Sequence, residues 1–193
     1  MFSWIFDNWF FCNAGGGWNQ ESASSESQQQ KAMKYRAEAD EWAKKKRDCS
    51  QRSQAAYSNG DKAEASRLSK QGKLYAEKMN KANWKAARAI LRPQRSKKTG
   101  RLDLHGLYLE EAKAATSEFL DHWRDLPKSN RPETVQIITG AGKHSKIKGQ
   151  PIIRPEVEKI LQLRALEYAC LNGDGGFLVD VSTSENDFSC IIM

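Results

Sequence analysis

The chain has 193 residues, of which 28% are charged, and this length has room for one or two small domains. No apolar run approaches the eighteen residues that a membrane-spanning helix needs, so none is predicted. The aromatic N-terminus lacks the positive charge of a secretory signal. The four cysteines are scattered without a Cys-x-x-Cys pair, which argues against a disulfide framework or zinc ribbon and favours a reducing, cytoplasmic compartment.

The net charge of +7 is unevenly distributed. Residues 31–101 hold 21 Lys and Arg against 7 Asp and Glu, whereas residues 102–193 hold 10 against 14. A basic segment of this kind favours nucleic acid or an anionic membrane surface as a partner. A solvated, lysine-rich pair of helices would give the same pattern, so charge alone leaves both possibilities open.

Residues 1–30 combine an aromatic cluster with a polar stretch. Met1–Cys12 contains six Phe and Trp residues, whereas residues 13–30 are rich in Gly, Ser, Asn and Gln. The polar composition predicts a flexible linker. The aromatic cluster suits docking on the protein or a partner as well as contact with a membrane interface, and the sequence leaves these open.

Residues 31–92 show apolar side chains at helical spacing on both sides of one short turn. In that turn, Gly60 is placed to end a first helix and Asp61 to cap a second. Helices joined by so short a connection are expected to form an antiparallel hairpin. Three aromatic residues at helical spacing are expected in its core: Tyr35, Trp42 and Tyr75.

The basic residues of this hairpin are candidates for contacts with a nucleic-acid backbone, above all Lys44–Arg47 and the segment 92–101. Pro93 and the polar residues after it are predicted to end the second helix. Residues 93–100 then form a linker to the next domain.

Residues 101–182 are predicted to form a compact domain with the order β-α-β-α-β-β, and residues 183–193 a flexible tail. This order favours a mixed sheet with helices against one face, leaving the other face free. The fold class is therefore an α+β two-layer sandwich preceded by the helical hairpin. The predicted strands are 102–105, 133–139, 167–171 and 176–181, and the predicted helices are 108–124 and 155–163.

The first strand carries the most informative motif, Leu102-Asp103-Leu104-His105-Gly106. Because side chains alternate along a strand, both leucines are expected to enter a core. Asp103 and His105 then share the opposite face at the strand's end.

A second motif, Gly140-Ala141-Gly142-Lys143-His144-Ser145, follows the second predicted strand. Its glycines allow backbone N–H groups to approach an anion closely. An acid, two imidazoles and such a loop at neighbouring strand ends predict a site for work on phosphodiesters. The loop is not a Walker A motif, because Ile137 stands where the first glycine belongs and His144 replaces Ser or Thr.

These two motifs resemble those of the small MutS-related (Smr) domain family. Leu102–Gly106 meets the family's first motif, Leu-Asp-x-His-Gly, and Gly140–Ser145 meets its second, Gly-x-Gly-x-His-Ser. Ile153–Val157 matches a downstream pattern, Ile/Leu-Arg/Lys-Pro-x-Val. The resemblance covers residues 99–182.

The preceding hairpin resembles the domain of unknown function (DUF1771) that often precedes Smr domains in eukaryotes. The residues that carry this second resemblance are Tyr35-Arg36, Tyr57, Gly60-Asp61, Leu68-Ser69, Gly72-Lys73, Met79, Asn83 and Ala86-Ala87.

The Smr resemblance implies a sandwich similar to the C-terminal domain of a bacterial translation initiation factor. It also implies endonuclease activity, on RNA in several eukaryotic relatives and on branched or nicked DNA in others, while some members bind without cutting. RNA is the favoured partner here, with DNA, a ribosome-associated substrate and a non-catalytic adaptor role as alternatives. The candidate catalytic residues are Asp103, His105 and His144, and the candidate nucleic-acid-binding residues are Gly140, Gly142, Lys143, Ser145, Lys146, Lys148 and Arg154.

Purely structural roles for these residues stay open. Asp103 and His105 are also placed to cap the helix that follows them, and the glycine-rich segment would serve equally as a plain turn. The sequence assigns no definite cofactor, and Mg²⁺ or another divalent cation at Asp103, His105 and His144 stays open as an alternative. His122 is predicted to be a surface residue.

The last four residues, Cys190-Ile191-Ile192-Met193, fit the signal for farnesylation of Cys190. One lipid chain gives weak, reversible attachment. The expectation is therefore a cytoplasmic protein that associates loosely with membranes.

Overall fold

The computed structural model describes residues 21–95, 100–140, 151–171 and 175–182, with the side chains of residues 21–26 and 94–95 excepted. The chain divides into two compact units, with the boundary between Pro93 and Gln94. The first contains a pair of long helices, and the second contains a four-stranded sheet with two helices. The predicted fold class is confirmed.

The hairpin consists of α1 (Glu21–Ser58) and α2 (Lys62–Arg95). Gly60 adopts a φ of +84°, a left-handed conformation that favours glycine. Its N–H donates to Tyr57 O, and that of Asp61 donates to Ala56 O, which is the Schellman pattern that ends a helix. The Asp61 carboxylate then accepts the Glu64 N–H at 3.0 Å, so the predicted turn and cap are both confirmed.

Both outer ends of the hairpin differ from the prediction. α1 begins at Glu21, so residues 21–30 are helical rather than part of a flexible linker. This stretch contains Glu, Ala and Gln, and extending an existing helix costs far less than starting one. α2 continues past Pro93 to Arg95, because a proline in the last turn removes one backbone bond without ending the helix at once.

The second unit builds a sheet with the strand order β1-β2-β4-β3. β1 and β2 are parallel, whereas β4 is antiparallel to both of its neighbours. Each element lies within a few residues of its predicted position, and α4 begins two residues earlier than predicted. The elements are β1 (Arg101–Asp103), α3 (Leu109–Asp125), a short 3-10 turn (Lys128–Asn130), β2 (Thr134–Ile138), α4 (Ile153–Leu163), β3 (Tyr168–Cys170) and β4 (Gly176–Asp180).

The core of this unit follows the strand alternation. Leu102, Ile137 and Phe177 pair across β1, β2 and β4 and are fully buried. On α3 and α4 the buried apolar positions include Phe119 and Leu161. Side chains on the opposite face of the sheet are more accessible: Arg101, Ala169 and Leu178 are exposed.

Candidate functional site at the end of the sheet

The candidate site lies where β1 and β2 end and β4 begins. Asp103 pairs with Ile138, and Ile138 pairs with Gly176, so these three residues form the last row of the sheet. Parallel strands present their carboxyl ends at the same edge, and loops from such edges commonly carry functional groups. We call this the β1–β2 edge.

The first motif leaves β1 through a tight turn. The Leu104 N–H still donates to Ile138 O at 2.9 Å, and the Leu107 N–H donates back to Leu104 O at 3.2 Å. Gly106 takes a φ of +77°, as the third residue of such a turn often requires. His105 therefore lies at the corner of the turn, where it is exposed, while Leu102 and Leu104 are buried as predicted.

Asp103 stabilises this turn through a hydrogen bond. Its Oδ1 accepts the main-chain N–H of His105 at 2.9 Å, an Asx-type bond that fixes the backbone of the histidine. The carboxylate is half-buried beside an exposed imidazole. Through this contact Asp103 positions His105 by way of its backbone, an arrangement that the strand pattern alone did not predict.

The helix after the motif has a capping bond of its own. The Glu111 carboxylate, only 4% exposed, accepts the Tyr108 N–H at 2.9 Å at the start of α3. This is the reach-back half of a capping box. Glu111 therefore satisfies the N–H of the residue before α3, while the Asp103 carboxylate bonds within its own turn.

The second motif starts at the same edge. The N–H groups of Thr139 and Gly140 both donate to Gly175 O, at 2.9 and 3.1 Å, and Gly140 has a φ of +78°. Gly140 lies two residues beyond Ile138, just as His105 lies two residues beyond Asp103, and Asp103 and Ile138 are paired. The two motifs therefore leave the sheet at corresponding positions. The remaining candidates of this loop lie outside the described residues: Gly142, Lys143, His144, Ser145, Lys146 and Lys148.

Arg154 lies in the first turn of α4 and has partners within the protein. Its guanidinium carbon is 5.3 Å from the centroid of the Phe177 ring, and Nη2 is 3.2 Å from the Cys170 sulfur. Phe177 is the second residue of β4, directly after Gly176 in the last row of the sheet, and it pairs with Cys170, the last residue of β3. Arg154 is therefore at the same end of the sheet as the β1–β2 edge. Neither partner was predicted, because both contacts depend on strand register.

Two further observations bear on the sequence-based alternatives. Among the described residues, no group of three or more His, Cys, Asp or Glu side chains is placed to hold a metal ion. None of the described helices is long and apolar enough to cross a membrane.

His122 lies near the far end of α3, half-buried, and this burial lowers the pKa of its imidazole, an effect that Asp125 partly offsets.

Two family models match different parts of the chain. Residues 33–95 match the family described as "Domain of unknown function (DUF1771)", and residues 102–170 match the Smr domain. A Smr domain-containing protein of the fission yeast Schizosaccharomyces pombe is 32% identical over 163 residues, which span 82% of this chain and 77% of the relative. The chain belongs to the Smr domain family.

Two other relatives match this chain over only part of their own length. The human NEDD4-binding protein 2 is 36% identical over 135 residues, which span 66% of this chain but 7% of the relative. Endonuclease NBR9 of Saccharomyces cerevisiae is 30% identical over 148 residues, which span 76% of this chain and 60% of the relative. No solved structure matches the chain.

Proposed function

We propose that this Smr protein binds RNA and cleaves it, with His105 acting on the reacting oxygens at the β1–β2 edge. The observation that carries the proposal is an exposed histidine, with its backbone N–H bonded to Asp103, at a strand end where the glycine-rich loop also begins. The similarity to a budding-yeast protein named as an endonuclease supports the same activity.

The proposed chemistry uses the 2′-hydroxyl of the RNA itself. A base removes its proton, the 2′-oxygen attacks the adjacent phosphorus, and the bond from phosphorus to the 5′-oxygen breaks. An acid gives a proton to that 5′-oxygen, which leaves a 2′,3′-cyclic phosphate and a 5′-hydroxyl end. An imidazole suits either proton transfer, because its ordinary pKa is close to neutral pH.

In this scheme Asp103 is a positioning residue, and His105 contacts the substrate. The second imidazole required by a base–acid pair is assigned to His144, with Lys143 and the loop N–H groups beyond Gly140 facing the phosphate, because the Gly140 N–H already donates to Gly175 O. Arg154, Lys146 and Lys148 would supply further phosphate contacts. The assignments within the 141–150 loop stay predictions.

A cleavage assay with defined ends tests the proposal. Wild-type protein is incubated with end-labelled structured RNA and with the same RNA carrying 2′-O-methyl groups. We expect cyclic-phosphate products from the first and no cleavage of the second. His105→Ala should slow cleavage by about 10²- to 10⁴-fold, the usual contribution of one proton-transfer group.

His122→Ala is the matched control for this loss. His122 is thirteen residues along α3 from Leu109, about 20 Å from the start of that helix at 1.5 Å per residue. Its removal should leave the rate unchanged. Equal rates for wild type and His105→Ala would overturn the proposal, and so would cleavage of the 2′-O-methyl RNA.

Two alternatives are separated when an RNA-binding measurement and branched or nicked DNA are added to this experiment. An adaptor would bind the RNA in wild-type and variant forms without cutting it. A DNA-directed enzyme would cut branched or nicked duplexes while leaving RNA intact. Adding a chelator in parallel shows whether a divalent cation contributes.

The membrane tether is a separate proposal. Farnesylation of Cys190 would hold an otherwise cytoplasmic protein loosely on membranes, since a single lipid binds weakly. Cys190 lies outside the described residues. Fractionation of cells that express wild type or Cys190→Ser tests it, and an identical distribution would contradict it.

A further inference from the structure

Two lysines from the two helices of the hairpin converge on one tryptophan. Lys45 Nζ, on α1, lies 4.4 Å from the centroid of the Trp42 ring, and Lys78 Nζ, on α2, lies 4.6 Å from it. Because both distances end at the same point, the ammonium nitrogens cannot be farther apart than the sum of the two. We call these three residues the Trp42 cluster.

The lysine charges in this cluster lack an acidic partner in the described part of the chain. Neither ammonium group forms an ion pair there, while the nearby Glu38 carboxylate accepts the Trp42 indole N–H at 3.4 Å. Two like charges held near each other repel. Because both ammonium groups lie against one ring, an anion that contacts both would be attracted by each, so the cluster carries positive charge suited to an anion.

The Trp42 ring that both lysines contact is held in place by its neighbours. The Trp42 and Tyr75 rings stack with centroids 5.7 Å apart and 22° between their planes, and both are half-buried between the helices. The rings therefore pack between the helices, but they are half-buried rather than in the core as predicted. This packing also serves the lysines, because each ammonium gains a cation–π contact that keeps it over the ring.

Basic residues extend from the cluster along both helices. Segments 41–48 and 70–81 together hold eight Lys and Arg against three Asp and Glu. They lie at the same level of the hairpin, as shown by the Trp42–Tyr75 stack and by the closeness of Gly72 to Cys49, where an added Cβ would lie 3.7 Å from the Cys49 Cβ. A band of this kind suits a polyanion with repeating phosphates better than a single small anion.

We propose that the Trp42 cluster is a phosphate-binding site for the backbone of a nucleic-acid strand, separate from the β1–β2 edge. The proposal takes the nature of its ligand from the proposed function and adds a second contact surface on the hairpin. A nucleic acid fits better than a membrane, because the indole is stacked on Tyr75 and bonded to Glu38 and does not project as an insertable side chain.

Binding of a cleavage-resistant probe tests this site. Fluorescent, single-stranded 2′-O-methyl RNA is titrated with full-length wild type and with the Lys45→Gln/Lys78→Gln double variant at several salt concentrations. We expect the variant to lose about tenfold in affinity. The slope of log K against log salt should fall by about 1.4, or 0.7 for each phosphate that the variant no longer neutralises on a single strand.

Lys31→Gln/Lys62→Gln is the matched control, because it removes the same charge from exposed hairpin lysines at other levels. Its affinity should stay within about threefold of wild type. Equal losses in both double variants would overturn the proposal, as would unchanged affinity in the Lys45/Lys78 variant. A variant that keeps RNA binding but loses binding to phosphatidylserine vesicles would reassign the cluster to membranes.

The outcome is independent of the nuclease proposal. If wild type cleaves no RNA but the Lys45/Lys78 variant binds it weakly, the nuclease proposal fails and the hairpin site stands. If wild type cleaves RNA and both double variants bind alike, only the hairpin site fails.

Discussion

The two units of this chain are packed by different means. Buried positions of the hairpin are mostly small, as at Ala39, Cys49 and Ala86, and the Trp42 and Tyr75 rings are half-buried. The sheet unit instead buries large side chains such as Phe177 and Leu102 completely. Small residues let two long helices approach closely, whereas each strand of a sheet must match its neighbour in register. A substitution at one position is therefore expected to change stability differently in the two units.

The largest expected stability loss comes from the last row of the sheet. A Cβ added at Gly176 would collide with Ile137 O and lie 3.0 Å from Ile138 Cα, in backbone that cannot give way. Gly176→Ala should therefore lower the free energy of unfolding by about 3 kcal/mol, at the upper end for overpacking. Urea denaturation measures this loss.

Gly175→Ala is the control for this change, since nothing lies within 4 Å of its added Cβ. We expect a shift below about 0.5 kcal/mol. Hydrogen exchange should locate the Gly176→Ala loss in the sheet unit and leave the hairpin amides protected as before. Equal stability of the two alanine variants would show that the strands tolerate more movement than their register suggests.

A smaller effect is expected at Asp103, where stability and function separate. Asp103→Ala removes the acceptor of the His105 N–H and should cost about 1 kcal/mol of stability. Asp103→Asn keeps an acceptor oxygen and should restore most of that stability. If the carboxylate acts only by positioning the backbone, Asn should also restore most of the cleavage rate, and a rate as low as that of Ala would assign it an electrostatic part.

Two glycines of the hairpin should respond with opposite signs. Gly60→Ala forces a side chain into a left-handed conformation and should cost about 1 kcal/mol. Gly72→Ala lies inside α2, its Cβ would be 3.7 Å from Cys49 Cβ, and it should gain up to about 1 kcal/mol of helix propensity. Thermal unfolding of both variants checks the contrast, and a loss at Gly72 would mean that the helices are packed too closely for a methyl group.

The smallest effect concerns pH. Burial lowers the pKa of His122, so below the ordinary value of about 6.5 the unfolded chain takes up a proton before the folded one does. Stability should therefore decrease slightly as pH falls from 7.5 to 5, and His122→Gln should weaken that dependence. A steeper dependence in the variant would contradict the direction of this shift.

Local patterns predicted much of this molecule. The turn at Gly60 and Asp61, the alternation of Leu102 and Leu104, and the element order of the sheet unit each depend on residues close together in the chain, where backbone geometry acts directly. The predicted start of α1 was wrong. The polar composition of residues 21–30 is typical of linkers, but the Glu, Ala and Gln residues in this stretch also extend a helix well.

The sequence by itself determined the family, the order of elements and the exposed histidine at a strand end. Only the tertiary structure decided that Asp103 bonds to the His105 backbone, that the Arg154 guanidinium lies over the Phe177 ring, and that Lys45 and Lys78 share one ring. These contacts join residues through a turn, a strand register and the packing of two helices. The Arg154 and lysine contacts depend on side chains distant in the chain, which no local pattern specifies, whereas the Asp103 bond depends on the turn that the end of β1 adopts.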